Sequence, residues 1–304
     1  MRNLILLACS AGLTATLCAG SATAHAVAGN RFFPATLKTD DPGVADELSL
    51  PTISSFKTGD DPMQRQLDVS GEYSKRLTPK LGISVGETWT QLKTSGLGKA
   101  QGFQNLEVTV KYQAITSAEH ETIVAVGLST EWADTGADRV GAEHHSTFTP
   151  SVYFGKGGGD LPDSLTWARP LALTGVVGYA IPDRLHDGAD RNPSVLHSGF
   201  ALEYSLPYLA SHVKDYGLPD FLNHLTPLVE ADFETPVAHA SGSRTTGTIN
   251  PGVIWAGRYY QLGAEATFPI NHDSGRGVGF VVQLHVFLDD LFPRSIGKPV
   301  WSGQ

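Results

Sequence analysis

The amino-acid sequence predicts an all-β fold: a single antiparallel up-and-down transmembrane β-barrel of about 12 strands after a cleaved signal peptide. Three observations predict it. An export signal opens the chain, apolar and polar residues then alternate with a period of two, and the predicted strands are about 10–13 residues long. A tilted strand needs about 9–11 residues to cross a bilayer, whereas strands of globular proteins average about 5–6.

The N-terminus has the features of a secretory signal peptide. A short basic start precedes an apolar run at residues 4–17, and residues 24–26 form a small-residue cleavage site. A transmembrane helix is the weaker interpretation, because the apolar run falls short of about 20 residues. Neither Cys9 nor Cys18 stands in a well-formed lipobox, which disfavours a lipoprotein. We therefore expect cleavage after Ala26.

The predicted domain organisation is a signal peptide at 1–26, a periplasmic N-terminal segment at 27–46, a barrel at 47–290 and a C-terminal tail at 291–304. The mature chain contains no cysteine, which excludes disulfides and thiol chemistry. With 22 Lys and Arg against 31 Asp and Glu, the chain is acidic, so nucleic acid is not an expected partner. No cofactor-binding or metal-binding motif is predicted.

The period-two alternation is clearest between Gln66 and Leu77. Leu67, Val69 and Tyr73 fall in one row and the charged residues in the other, as in a strand with one apolar and one polar face. The same pattern recurs along the chain. The predicted strands span 48–57, 65–77, 80–92, 102–116, 120–132, 144–156, 169–182, 195–206, 224–235, 246–256, 259–270 and 277–288.

The predicted connections alternate between tight turns and longer polar loops, as in outer-membrane barrels. Two of them are long where a short turn is expected: residues 157–168, and residues 207–223, which read as a short amphipathic helix. An even strand count places both chain ends in the periplasm. Aromatic residues near many strand ends would form interfacial girdles.

The polar row predicts the residues that line the lumen if that row faces inward. Acidic side chains would dominate such a lumen, which favours a narrow pathway for cations or neutral solutes. A further hypothesis is that the segment from Val27 to Asp46 folds inward as a plug. The predicted lumen-lining residues are Asp68, Glu72, Arg76, Glu107, Lys111, Glu203, Glu230, Asp232, Glu234 and Glu265.

Several segments resemble the outer-membrane family of the MetA pathway of phenol degradation. They are Gly96-Leu97-Gly98 leading into the strand from Leu106 to Tyr112, the stretches 50–60 and 132–138, and a closing glycine-rich hairpin from Tyr259 to Leu288. Lys99 departs from the family pattern, in which an acidic residue follows the Gly-x-Gly turn. The resemblance implies a transporter-like β-barrel for small hydrophobic or aromatic compounds.

The leading expectation is a non-enzymatic outer-membrane channel whose partners are membrane lipid and a small solute. The sequence leaves two alternatives open. A soluble secreted barrel or sandwich would place the apolar row inside and bind a ligand there. An outer-membrane hydrolase would use the His-x-Ser spacing of His144 and Ser146, although no Asp or Asn lies beside that pair in sequence to orient the histidine.

Overall fold

The computed structural model of the chain describes residues 26–301 except 95, 97, 188, 189 and 240–243. In this described part, twelve long strands form one antiparallel sheet whose first and last strands pair and close it. The predicted fold class is confirmed, whereas the predicted signal peptide lies outside the described residues except for Ala26. The strands are β1 (Glu47–Lys57), β2 (Gln64–Arg76), β3 (Leu81–Thr94), β4a (Gly98–Phe103) with β4b (Glu107–Ser117), β5 (Thr122–Glu131), β6 (Thr147–Gly157), β7 (Leu171–Pro182), β8 (Ser194–Tyr204), β9 (Leu225–Ala238), β10 (Thr246–Ala256), β11 (Tyr260–Pro269) and β12 (Gly279–Phe287).

The fourth strand differs from its predicted span of 102–116. It is broken at residues 104–106, and β4a and β4b pair with different halves of β3. At the break the Gln104 amide still donates to the Thr88 carbonyl at 2.8 Å, while the Asn105 side chain turns away and donates to the Glu143 carbonyl at 2.8 Å. The alternation of polar and apolar residues does not show that the Asn105 side chain bonds a loop carbonyl. The sequence therefore did not predict this break in the strand.

One end of the barrel has three tight turns, the two long connections 158–170 and 205–224, and both described chain ends, and we call it the turn end; the other is the loop end. At the turn end, residues 77–80, 118–121 and 257–259 connect neighbouring strands. The C-terminal tail returns to this end, where the Trp301 amide donates to the Leu77 carbonyl at 2.8 Å.

The predicted helix at 207–223 forms only in its first half. Leu206–Tyr208 is α-helical and Leu209–Val213 is a π-turn, after which the chain is irregular until a 3₁₀ turn at Leu222–His224. Gly217 has a φ of +65°, and Pro219 follows two residues later. The helical backbone already ends at Lys214, which is extended with a φ of −161° and a ψ of 125°, and Gly217 and Pro219 keep it from resuming.

The apolar row of the strands faces outward. Val126, Leu202 and Phe280 expose 44%, 52% and 47% of their surface, whereas Thr90 and Asn250 on the opposite face are fully buried. Aromatic side chains are exposed near the strand ends, among them Tyr73, Tyr112, Trp132, Tyr179, Tyr260 and Phe268. The structure thus decides which row is inside, a question that the alternation alone left open. No helix among the described residues is long and apolar enough to span a membrane.

Residues 27–46, which we call the luminal segment, lie inside the barrel. A short hairpin pairs Val27–Ala28 with Arg31–Phe32 near the turn end. The chain then rises to the middle of β9, where its backbone meets Glu230, and descends to Asp46 beside β2. Phe33 and Asp46 are 1% and 0% exposed, so the segment is packed against the wall and not merely suspended in the lumen.

The outward apolar face yields a test on two neighbouring residues of β3. Val85 points outward and is 41% exposed, whereas Ser84 lines the lumen. If the outer face contacts hydrocarbon, Val85→Lys lowers the free energy of unfolding from lipid vesicles by about 2 kcal/mol. Ser84→Lys leaves it nearly unchanged, because the ammonium stays in the wet lumen. Equal effects of the two substitutions would show that the outer face does not lie in lipid.

Candidate functional site: the occupied lumen

Inward-facing glycines make room for the luminal segment. A Cβ at Gly263 would lie 2.5 Å from Leu37 Cδ1, and one at Gly155 would lie 3.0 Å from Pro42 Cγ. Gly82 and Gly199 meet Val44 and Thr39 in the same way, at 2.9 Å each. Real Cβ atoms do not approach this closely without displacement. Four strands of the wall are therefore shaped around the segment.

Glu230 on β9 binds the backbone of the segment at its highest point. One carboxylate oxygen accepts from the Leu37 amide at 2.6 Å, and the other accepts from the amides of Lys38 and Thr39 at 3.0 and 2.6 Å. Glu230 is fully buried. A buried carboxylate needs such donors. Backbone amides make their strongest hydrogen bonds to charged acceptors such as this one. The Gln261 side chain donates to the Ala35 carbonyl beside this clamp.

A buried ion pair holds the segment at the turn end. Arg31 Nε donates to Glu121 Oε2 at 3.2 Å, and both side chains are at most 5% exposed. The remaining Arg31 donors bond the carbonyls of Pro170, at 3.0 Å, and Arg169. The Tyr208 hydroxyl donates to Glu121 Oε1 at 2.8 Å, and burial, reinforced by the same carboxylate, raises the pKa of Tyr208 to about 12. The hydroxyl therefore stays protonated and remains a donor.

Further contacts hold the descending part of the segment. Lys111 on β4b donates to Asp40 Oδ1 at 2.9 Å and to the Asp41 carbonyl at 2.8 Å. At the exit, Arg76 Nε donates to Asp46 Oδ2 at 2.8 Å, and Lys75 donates to the other carboxylate oxygen. Oppositely charged side chains of the wall and of the segment thus pair at its start, in its descending part and at its exit.

The inward row also contains a small apolar patch. Leu37 packs with Leu228, Ile254 and Val281, which lie on three different strands and are at most 9% exposed. Near the turn end Phe33 packs with Ile123 and Ala172 in the same manner. These apolar residues are buried only because the segment covers them, so its seating gains hydrophobic as well as polar stabilisation.

Cavities remain in the lumen between the described residues, and two of them bear on function. The acidic cleft, of about 310 Å³, lies between the segment and strands β12 and β1 to β4b, and its lining includes Glu72, Glu107 and Lys111. The outer cavity, of about 260 Å³, lies towards the loop end and is lined by Asp232 and Glu234 among others. Lys38 at the tip of the segment is exposed and lines both cavities. The tip therefore stands between them.

The structure separates the ten predicted lumen-lining residues into groups. Glu203, Glu230 and Glu265 are covered by the segment and are at most 4% exposed. Asp68 accepts from the Thr90 hydroxyl at 2.7 Å, and Arg76 bonds Asp46 at the turn end. The other five line the two cavities: Glu72, Glu107, Lys111, Asp232 and Glu234. Sequence reasoning missed Lys38 and the segment's own carboxylates, which lie outside the strand pattern.

The His-x-Ser site has an acidic neighbour that the sequence did not suggest. His144 Nδ1 lies 2.7 Å from Asp134 Oδ1, ten residues earlier in the same loop. No Asp or Asn lies beside this pair in sequence, but the loop folds back on itself and brings Asp134 next to His144 in space. The Ser146 hydroxyl, by contrast, accepts a hydrogen bond from the Ala133 amide at 3.0 Å.

Comparison with known proteins gives a likeness in fold. No protein-family model and no curated protein matches the chain. The crystal structure of an outer membrane channel from Pseudomonas putida F1 is similar, with a TM-score of 0.53 and 12% identity over 84% of this chain and 98% of that one. The NanC porin has a TM-score of 0.48 and 10% identity, over 78% and 98% of the two chains. The KdgM porin has 0.44 and 13%, over 79% and 98%.

The clamp on the segment predicts a local effect of Glu230→Ala. The substitution removes three charge-assisted hydrogen bonds, and we expect it to lower the opening free energy of the segment by about 3 kcal/mol. Amide hydrogen exchange at Leu37 to Thr39 should accelerate by about a hundredfold or more, while strand amides keep their protection. Glu234→Ala serves as the matched control. Unchanged exchange at residues 37–39 would mean that Glu230 does not hold the segment.

The buried pair at the turn end predicts strong coupling. Glu121→Gln leaves the Arg31 guanidinium buried without its counter-ion, so we expect a loss of about 3–5 kcal/mol in the free energy of unfolding. Adding Arg31→Met should restore part of that loss. Lys156→Gln breaks the exposed pair with Asp160 at the same end, where N and O are 2.7 Å apart, and should cost at most about 1 kcal/mol. If the losses of Glu121→Gln and Arg31→Met measured separately add up to the loss of the double variant, the two residues are not coupled.

Proposed function

We propose that the protein is an outer-membrane channel or transporter for small compounds, with its turn end in the periplasm. The observation that supports this most directly is the distribution of side chains across the wall. Leu202, Val126 and Phe280 are exposed outward, whereas Glu72 and Lys111 face the lumen. An apolar exterior suits hydrocarbon, where no water can bond the backbone. Every backbone donor and acceptor must then be bonded within the protein, as a closed barrel allows.

The alternative of a soluble barrel fits this distribution poorly. A soluble barrel places its apolar row inside, and soluble proteins rarely expose large apolar residues side by side over a wide surface. The likeness to the Pseudomonas putida channel adds support for the membrane barrel through the fold alone.

The route through the barrel leads from the outer cavity, past Lys38, into the acidic cleft. Its cavities, of about 260 and 310 Å³, limit the solute to a small compound. The luminal segment narrows this route, so the open area depends on its position. The resemblance to the MetA-pathway family suggests hydrophobic or aromatic solutes, and this finer assignment is part of the proposal.

A deletion tests both the channel and the role of the segment. Removal of residues 30–44 eliminates the ascending and descending chain, and we expect the single-channel conductance in planar bilayers to rise several-fold. The unaltered chain should conduct weakly. Both proteins should migrate differently on SDS gels before and after boiling, which reports a closed barrel. Absence of conductance in both proteins, with recovery in the soluble periplasmic fraction, would overturn the proposed function.

A further inference from the structure

We propose that the acidic cleft binds a small organic cation that carries ammonium groups, with a short aliphatic diamine as the best-fitting member of this class. The inference deepens the proposed small-compound channel by naming a solute class for this cleft, which takes the place there of the hydrophobic or aromatic class that the family resemblance suggests. It rests on the proposed function only for the route by which the cation reaches the cleft. Geometry, charge and an unsatisfied acceptor support it separately.

The geometry is a groove between two carboxylates. Glu72 on β2 lies opposite Gly86 on β3, and Gly86 in turn lies opposite Glu107 on β4b. The two glutamates therefore stand two strand spacings apart, about 10 Å, on the same inward face. Gly86 leaves the space between them open, and a Cβ added there would come no closer than 3.9 Å to Glu72. The groove thus has an acid at each end and no side chain at its centre.

Among the described residues, neither Glu72 nor Glu107 forms a salt bridge with a lysine, arginine or histidine. In the described residues, Glu72 accepts from the Ser74 hydroxyl at 3.0 Å, and Glu107 accepts from the hydroxyls of Ser129 and Thr109 at 2.5 and 3.3 Å. Lys111, which shares the cleft, already bonds Asp40 at 2.9 Å.

The whole lining repeats this imbalance. Six acidic residues line the cleft against three lysines, and two of these lysines are already paired, Lys75 with Asp46 and Lys111 with Asp40. Both Glu72 and Glu107 are exposed to the water of the lumen. A water-filled groove with excess negative charge between protein walls concentrates cations and repels anions.

An unsatisfied acceptor marks the same cleft. Gln283 on β12 is 9% exposed and lines the cleft, and its Nε2 donates to Thr52 Oγ1 at 3.1 Å. Its Oε1 is buried and has no hydrogen-bond partner in the described structure. An acceptor without a protein donor is available to a ligand that brings N–H groups. An ammonium group supplies three donors and no acceptor.

The binding test uses four probes of the same chain length on the purified full chain in an uncharged detergent. Isothermal titration compares 1,4-diaminobutane, 4-aminobutan-1-ol, 1,4-butanediol and succinate. We expect the diamine to bind tightest, the amino alcohol at least threefold more weakly, and the diol and the dianion not measurably. Affinity should fall as salt rises, because the groove is wet. Equal affinity for the diamine and the diol would overturn the proposal.

Variants locate the site. Glu72→Gln/Glu107→Gln should weaken diamine binding at least tenfold, and Gly86→Val, which fills the groove and leaves both carboxylates, should do the same. The control Glu119→Gln/Asp60→Asn makes the same change in net charge on exposed turns and should stay within twofold. A gel shift on boiling verifies that each variant keeps a closed barrel. Unchanged affinity in both groove variants would refute the site.

The outcomes separate this inference from the proposed function. A protein that conducts in bilayers but binds no diamine would refute the cation site and leave the channel intact. A protein that binds diamine through Glu72 and Glu107 but never conducts would refute the channel and leave the site intact.

Discussion

Closure of the sheet is the constraint on which the rest of the structure depends. β12 pairs with β1 from Phe280 opposite Ser55 to Phe287 opposite Glu47, so in the described structure the long strands close into a ring and only the short β4a lacks a strand partner on one side. In hydrocarbon an unpaired backbone group is very costly, which makes a closed barrel the only β-structure that can span it. Once the sheet closes, alternation directs every second side chain into a confined lumen. Polar side chains are therefore brought close together in the lumen, including side chains of like charge.

The luminal segment solves a problem that this closure creates. Glu203, Glu230 and Glu265 face inward and are at most 4% exposed, and acids buried in this way need hydrogen-bond donors from the protein. The segment brings its backbone amides to Glu230 and covers the apolar patch around Ile254. The dependence is mutual, since the segment pairs only two short strands of its own. Wall and segment each complete the hydrogen bonding and packing of the other.

Much of the wall was predictable from sequence, and the interior was not. Apart from the broken fourth strand, every predicted strand boundary lies within three residues of its observed position, because alternation is a local property. The position of the segment depends on the contact between Leu37 and Glu230, which are 193 residues apart. It also depends on Gly155 and Gly263, which do not differ in the sequence from other strand glycines. Nothing in the local pattern of residues 27–46 specifies where they dock.

The same limit explains why facing the lumen does not define a functional role. Glu72 and Glu230 are the same residue type in the same inward row, yet Glu230 is fully buried against three amides while Glu72 meets water and a serine hydroxyl. Alternation gives the face of a residue, but its role depends on what lies opposite. Opposite Glu230 stands the luminal segment. Beside Glu72 stands Gly86, whose missing side chain leaves that carboxylate accessible to a mobile ligand.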